Sequence, residues 1–165
     1  MRRIVNYIFI VSMLISCQSN NTINSAITQA PPPFDNSIPL SKNGELLLLS
    51  TPEQRNTFKV GDSISIIVQN ISDKDFTYDY KNTKIYYTND HNEWIETKNK
   101  VIIVGDKTVV VLQPTSFRGE DFDPDINNYN KATYVKIIIT GSFSPHSNSS
   151  ENNISVYIDI LLNPK

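Results

Sequence analysis

The alternation of apolar and polar residues predicts an all-β fold for residues 44–165, an antiparallel β-sandwich of about eight strands. Short segments alternate with a period of two, which is typical of strands with one buried face. Gly, Pro, Asn and Asp separate these segments and favour turns. From residue 17 onward, no window of ten or more residues shows a convincing helical period.

The predicted strands follow one another at short intervals. Ser63–Asn70 places Ile64, Ile66 and Val68 on one face, and Ile154–Leu162 alternates over its whole length. The polar run Asn89-Asp90-His91-Asn92 predicts a hairpin turn between two of the strands, and Gly105-Asp106 predicts another turn. The remaining predicted strands are Glu45–Leu49, Phe76–Tyr80, Lys84–Thr88, Glu93–Thr97, Val101–Val104, Thr108–Leu112, and Thr133–Thr140, which ends at Gly141.

Two longer stretches interrupt this pattern and are predicted to be loops. They are Gln113–Asn130 and Ser142–Asn153. Long loops in a compact β domain commonly carry a binding surface. We therefore expect binding at these loops and at the edges of the sheets.

The N-terminal seventeen residues carry the most specific signal in the chain. Arg2 and Arg3 precede an apolar stretch, Ile4–Ile15, that is too short to span a bilayer. Leu14-Ile15-Ser16-Cys17 resembles the lipobox of bacterial lipoproteins. The resemblance implies that residues 1–16 are a signal peptide and that diacylated Cys17 becomes the N-terminus.

The segment 17–43 is predicted to be a disordered linker, because its first part carries neither charge nor an apolar period. Pro31-Pro32-Pro33 favours locally stiff polyproline II. A random-coil estimate places the folded domain on the order of 30 Å from the lipid.

Composition limits the possible partners. Without residues 1–16, the chain has 149 residues, enough for one domain, and 13 basic against 17 acidic residues, a balance of −4. No basic face for binding nucleic acid is visible. Cys17 is the only cysteine, so the fold must hold without disulfides, and contact with the membrane would depend on the lipid anchor alone.

The local pattern also resembles known domains. Phe58–Ser72, in which Gly61-Asp62 enters a strand that closes on Asn70, resembles the early strand of bacterial immunoglobulin-like domains. The resemblance implies an immunoglobulin-like β-sandwich. Tyr86-Tyr87 through Trp94, with Leu112-Gln113-Pro114, resembles the intracellular proteinase inhibitor domain, although Thr115 stands where that family usually has glycine. This second resemblance implies a similar sandwich with inhibitory activity.

Residues for catalysis are few. His91 and His146 are the only histidines, and both lie in polar stretches where a solvated side chain is the ordinary outcome. The common nucleophile, zinc-protease and phosphate-loop motifs are absent. We expect no enzyme activity and no cofactor.

An acidic run is the candidate cation site. Glu120, Asp121, Asp123 and Asp125 could together hold calcium, because alternate carboxylates can converge on a hard cation. However, Ile126 and Ala132 occupy the positions where a calcium loop needs glycine and glutamate. A solvated loop is the favoured interpretation.

Aromatic residues on three consecutive predicted strands are the candidate binding residues. Tyr78, Tyr80, Tyr86 and Trp94 could form an exposed platform that stacks sugar rings or holds a partner's side chains, in company with Phe76 and Tyr87. The alternative is that they form cross-strand pairs within the core.

These observations predict a lipid-anchored binding or scaffolding module of the cell envelope without catalysis. Its expected partner is another envelope protein or a glycan. Gln18-Ser19-Asn20 contains no aspartate, which by resemblance to lipoprotein sorting signals implies the outer membrane, on its periplasmic face. The alternatives are a protease inhibitor and a carbohydrate-binding module.

Overall fold

A computed structural model describes residues 30–35, 37–55, 57–101, 108–126, 130–144 and 153–164 of the chain. Pro31–Lys165 forms one compact unit, and Met1–Ala30 is assigned to a separate one. Cys17 and the predicted signal peptide lie outside the described residues. Of the residues described, no helix is both long enough and apolar enough to cross a membrane.

Within its described residues, the compact unit contains ten strands, and two short 3-10 turns, Pro52–Gln54 and Tyr80–Asn82, lie between them. The strands are β1 (Leu47–Ser50), β2 (Thr57–Lys59), β3 (Ile64–Asn70), β4 (Phe76–Asp79), β5 (Lys84–Thr88), β6 (Trp94–Thr97), β7 (Val109–Leu112), β8 (Phe117–Phe122), β9 (Thr133–Phe143) and β10 (Asn153–Asn163).

The strands form two sheets that face each other across one core. The smaller sheet has the order β1-β3-β8, and the larger has the order β2-β10-β9-β4-β7. The β5–β6 hairpin joins the larger sheet because β5 pairs with β9 next to β4. β2 and β10 are parallel, whereas the other paired strands are antiparallel. The predicted all-β, immunoglobulin-like β-sandwich is confirmed.

The core forms where the inward-facing positions of both sheets meet. In β3 every second residue from Ile64 to Asn70 is buried, and β9 and β10 contribute their own alternating sets. This arrangement follows directly from the two-residue period of a strand. The largest fully buried side chains are Phe76, Tyr78, Phe122, Leu47, Ile64, Ile66, Ile85, Ile137, Ile138, Ile139, Ile160 and Leu162.

Asn70 is fully buried in this core and ties the two sheets together. Its side-chain Nδ2 donates to the carbonyl of Leu112 in the larger sheet at 2.9 Å and to that of Lys74 at 2.7 Å. Its Oδ1 accepts from the amide and hydroxyl of Ser72. Because an unpaired buried amide would cost on the order of 1–3 kcal/mol, these bonds account for the polar residue at the end of β3.

Most predicted strands are present within one or two residues of their predicted ends. The hairpin turn is also confirmed: Asn89 donates its amide to the carbonyl of Glu93, and Asn92 has a φ of 61°. Apart from Val101, which lies in no strand, the predicted strand Val101–Val104 and its turn fall outside the described residues. So does the part of the second predicted loop from residue 145 to 152.

The prediction of a loop over Gln113–Asn130 is wrong. β8 lies inside it and pairs with β3 over six residues, from Phe117 to Phe122. The strand pattern was hidden because an inward position carries Glu120, whose charge disguises the alternation.

The predicted boundary between linker and domain at Gly44 also differs from the structure. The compact unit begins at Pro31. Ser41 donates its amide to the carbonyl of Ser155 at 2.7 Å, and Asn43 exchanges two hydrogen bonds with the backbone of Leu49. Residues 31–43 are therefore part of the folded body.

Gly141 does not end its strand as predicted, because β9 continues to Phe143. A Cβ at Gly141 would lie 2.3 Å from the carbonyl oxygen of Thr77 and 2.5 Å from Cζ of Phe76. The glycine thus permits β4 to pair closely with β9. Gly119 in β8 differs, since no atom lies within 4 Å of its ideal Cβ.

We predict that Gly141→Ala lowers the free energy of unfolding by about 3 kcal/mol, because backbone and a fully buried ring would have to shift. The matched control, Gly119→Ala, should be neutral or stabilising by roughly 0.5 kcal/mol, since alanine is favoured over glycine in a strand. Chemical denaturation measures both values. Equal effects of the two substitutions would contradict this account of Gly141.

Candidate binding surface

The candidate aromatic residues separate into two environments. Tyr78 is only 2% exposed, and its ring stacks on Phe76 at 5.8 Å in the core. Its hydroxyl donates to Oε1 of Glu120 at 2.6 Å, and that carboxylate also accepts from Nε of Arg118 at 2.8 Å. The prediction that Tyr78 forms part of an exposed platform is therefore wrong, because the phenol completes a buried polar pair.

Tyr80 lies at the start of a 3-10 turn, and its contacts also stabilise the fold. Its ring stacks on Phe122 at 5.4 Å. Its hydroxyl donates to the carbonyl of Asp121 and accepts from Nδ2 of Asn99 at 2.6 Å. Burial raises the pKa of Tyr80, although the bond from Asn99 opposes this. Tyr80 thus links the end of β4 to β8 and does not join Tyr86 and Trp94.

Tyr86 and Trp94 share the outer face of the larger sheet. Tyr86 lies in register with Glu96 on β6 and with Lys136 on β9, and Lys136 lies in register with Asp159 on β10. These four side chains form one row across four strands. We call the surface formed by Tyr86, Trp94, Lys136 and Tyr157 the aromatic face.

Lys136 occupies the centre of the aromatic face and is only 3% exposed. Its ammonium lies 3.8 Å from the ring centre of Tyr157 and 5.1 Å from that of Trp94, distances that suit cation–π attraction. Nζ also contacts Oδ1 of Asp159 directly. Burial lowers the pKa of Lys136, and the hydrogen bond and charge of Asp159 oppose that shift.

The N-terminal segment, residues 31–41, covers this face. The ring of Phe34 contacts Tyr86 and Trp94 edge-to-face, at 5.0 and 5.7 Å, and lies 5.2 Å from the ammonium of Lys136. Nε1 of Trp94 donates to the carbonyl of Pro32 at 3.1 Å. Tyr86 and Trp94 thus lie on one face, but they do not form the predicted exposed platform, because the chain's own Phe34 covers them.

An open groove of about 610 Å³ continues along the sheet beside the N-terminal segment. Among the residues that line it are Ile38, Pro39, Lys84, Glu96, Thr140 and Ser155. Both charged side chains in this set are exposed. The sheet therefore offers an occupied aromatic region with an open continuation.

The acidic residues do not converge on one point. Glu120 is turned into the protein, and Asp121 accepts a hydrogen bond from the hydroxyl of Ser65. Asp123 and Asp125 lie 3.9 and 3.5 Å from the ammonium of Lys100. Within the described ranges, no group of three or more His, Cys, Asp or Glu side chains is arranged to hold a metal ion.

The histidines take no part in the aromatic face. His91 is exposed in the β5–β6 turn, where its amide donates to the side chain of Asn89. His146 lies outside the described residues.

Sequence reasoning missed the residues that organise the aromatic face: Phe34, Lys136, Tyr157 and Asp159. A signal for Lys136 was available, since it is the only charged residue in the apolar strand Thr133–Thr140. A buried lysine needs a partner, and the next strand supplies Asp159. Phe34 follows three prolines, but nothing in its local pattern indicates where it packs.

Comparisons with known proteins bear only on the fold. No protein-family model matches the chain, and no curated protein matches it. Among solved structures, it is similar to a chain in the crystal structure of the chaperone–tip adhesion subunit pre-assembly complex from the archaic chaperone-usher Csu pili of Acinetobacter baumannii. The identity is 10%, the TM-score is 0.45, and the match covers 72% of this chain and 57% of that chain.

The buried phenol of Tyr78 predicts a loss of stability at alkaline pH. Burial, reinforced by the bond to Glu120, raises the pKa of Tyr78 far above its usual value of 10.0. Above about pH 10 the unfolded chain releases this proton and the folded chain keeps it, so the free energy of unfolding falls by about 1.4 kcal/mol per pH unit.

Tyr78→Phe should remove the contribution of this phenol. Above pH 10 its unfolding free energy should therefore fall less steeply than that of wild type, by about 1.4 kcal/mol per pH unit. At neutral pH the same variant should be less stable by about 1–2 kcal/mol, because the buried Glu120 loses a donor. Urea denaturation of both proteins from pH 7 to 11 measures the difference. Parallel limbs above pH 10 would contradict the assignment.

The Lys136–Asp159 pair predicts unequal effects of removing either partner. Asp159→Asn leaves a buried ammonium without its counter-charge and should cost about 3 kcal/mol of unfolding free energy. Lys136→Met should cost less, about 1 kcal/mol, because Asp159 is 27% exposed and can be rehydrated.

The difference in unfolding free energy between Asp159→Asn and Lys136→Met should shrink as pH rises from 7 to 9. Without Asp159 the pKa of Lys136 falls further, so the folded state binds fewer protons than the unfolded state and gains stability with pH. Denaturation curves at both pH values test this. A constant difference would show that the orphaned charge is not the cause.

Proposed function

We propose that this protein is a lipid-anchored, non-catalytic binding module of the bacterial cell envelope. The observation that carries the proposal is the outer face of the larger sheet, which already holds a chain segment through Tyr86, Trp94 and Lys136. A rigid sheet with aromatic side chains and an open groove beside them suits recognition of a polymer.

The polar groups of the described body also support a binding role without chemistry. Glu120 is engaged by Tyr78 and Arg118, and Lys136 is engaged by Asp159. These pairs stabilise the sandwich, and Glu120 and Lys136 are only 8% and 3% exposed. Buried charges that are each held by a partner in this way support a structural role.

The anchor is supported by the sequence Leu14-Ile15-Ser16-Cys17. Two or more acyl chains on one residue would make release from a membrane very slow, since each buried methylene contributes about 0.8 kcal/mol. The proposed location is the outer membrane, with the domain facing the periplasm.

Mass spectrometry of the protein from its native host tests the anchor. We predict an acylated Cys17 as the first residue and loss of residues 1–16, together with release from the membrane fraction in Cys17→Ser. An unmodified Cys17 that still follows Met1–Ser16 would refute lipid anchoring.

Site-specific photo-crosslinking in the native host tests the binding role. A crosslinking amino acid at Lys84, which is exposed and lines the groove, should capture a discrete envelope component. The control position is Phe117, which is 70% exposed and belongs to the smaller sheet. Equal capture from both positions, or capture from neither, would count against binding at this face.

A further inference from the structure

The segment that covers the aromatic face is seated as a bound peptide would be. Pro31, Pro32 and Pro33 have no backbone N–H, so they cannot extend a β-ladder. The segment is held instead by the bond from Trp94 to the carbonyl of Pro32 and by the ring of Phe34.

The chemistry of these contacts defines what the face recognises. Prolines favour the extended polyproline II conformation, so little conformational freedom is lost when such a peptide binds. An indole N–H that donates to a proline carbonyl, beside other aromatic rings, is a recurring mode of recognition for such peptides. Phe34 adds an anchor that fills the space between Tyr86, Trp94 and the ammonium of Lys136.

We propose that the aromatic face is a recognition site for an extended proline-rich peptide followed by an aromatic residue, carried by a partner protein. Pro31–Phe34 is the occupant supplied by the chain itself. The inference rests on the proposed function and specifies the ligand class of the same face. A partner peptide must displace the chain's own segment, so Pro31–Phe34 acts as an intramolecular competitor for the site.

Displacement is compatible with the rest of the fold. The core is built from residues between Leu47 and Leu162, none of which belongs to the N-terminal segment. Release of Pro31–Phe34 therefore breaks no strand pairing in either sheet, but it uncovers Lys136 until a partner peptide covers the face again. Since the partner can bind only the fraction of molecules with an open face, its apparent affinity is reduced by that fraction.

Trp94 is the only tryptophan in the chain, so its fluorescence reports directly on the face. The experiment uses the full chain in detergent micelles, as wild type and as Phe34→Ala. The probe is the synthetic peptide Ala-Pro-Pro-Pro-Phe-Asp, which has the sequence of residues 30–35. The matched control variant is Phe117→Ala, which removes an exposed phenylalanine from the other sheet.

We expect Phe34→Ala to shift the emission of Trp94 to longer wavelength, because water replaces the ring of Phe34. The peptide should restore the original emission, and it should bind Phe34→Ala at least about tenfold more tightly than wild type. Phe117→Ala should behave as wild type. The same peptide with alanine in place of phenylalanine should fail to restore the emission.

Four results would overturn the inference. The first is an emission of Phe34→Ala equal to that of wild type, and the second is a shift without any response to the peptide. The third is restoration of the emission by an oligosaccharide from envelope polysaccharide where the peptide fails, which would assign the face to glycans. Dimers that form in the wild type and are lost in Phe34→Ala would assign it to a second copy of the chain.

These outcomes are separate from the test of the proposed function. Crosslinking from Lys84 with no response to the peptide would retain a binding module and reject its proline-rich ligand. A response to the peptide without crosslinking in the host would retain the recognition chemistry and reject the envelope role.

Discussion

The structure depends on the burial of β9 on both of its faces. Its inward residues Val135, Ile137 and Ile139 belong to the core, yet the outward Lys136 and Ile138 are equally inaccessible. A sheet face of that kind needs a cover, and in a sandwich the second sheet can protect only one side. The N-terminal segment supplies the other cover, at least at Lys136, through Phe34. The body of the protein therefore has a third layer, formed by residues that precede the first strand.

Burial on both faces also determines where charge can be placed. Among the described residues, each sheet holds a nearly inaccessible acidic or basic side chain, Glu120 in the smaller sheet and Lys136 in the larger. Each has an oppositely charged neighbour, Arg118 or Asp159, and at least one aromatic residue beside it. Such pairs add little net stability compared with apolar residues, but breaking one is costly because a buried charge loses its partner. They favour a single strand register, since a shift by one residue would turn each charge to the opposite face.

Sequence reasoning succeeded where the two-residue period was strict and failed where a polar group replaced an apolar one. β3 and β10 could be located almost to the residue because apolar residues alternate along their sequences, and β5 because a polar turn follows it. β8 was missed because Glu120 occupies an inward position. The partners that make this possible are Arg118 within the strand and Tyr78, which lies 42 residues away in sequence. The aromatic face was only half predicted. Tyr86 and Trp94 could be named from their strands. Their partner Phe34 is separated from them in sequence by β1 to β4, and the local sequence pattern does not indicate that contact.

The position of the N-terminal segment would connect the proposed recognition to the proposed lipid anchor. Because the compact unit begins at Pro31, the stretch between Cys17 and the folded body is about half as long as a boundary at Gly44 implies. If Cys17 carries the lipid, release of Pro31–Phe34 adds chain length to the tether, and for a flexible chain the accessible distance grows with the square root of that length. A partner that displaces the segment would therefore allow the domain to move farther from the membrane. The same residues would then respond to ligand binding and set the distance between the domain and the membrane. Both effects would depend on one contact, that of Phe34 with Tyr86 and Trp94.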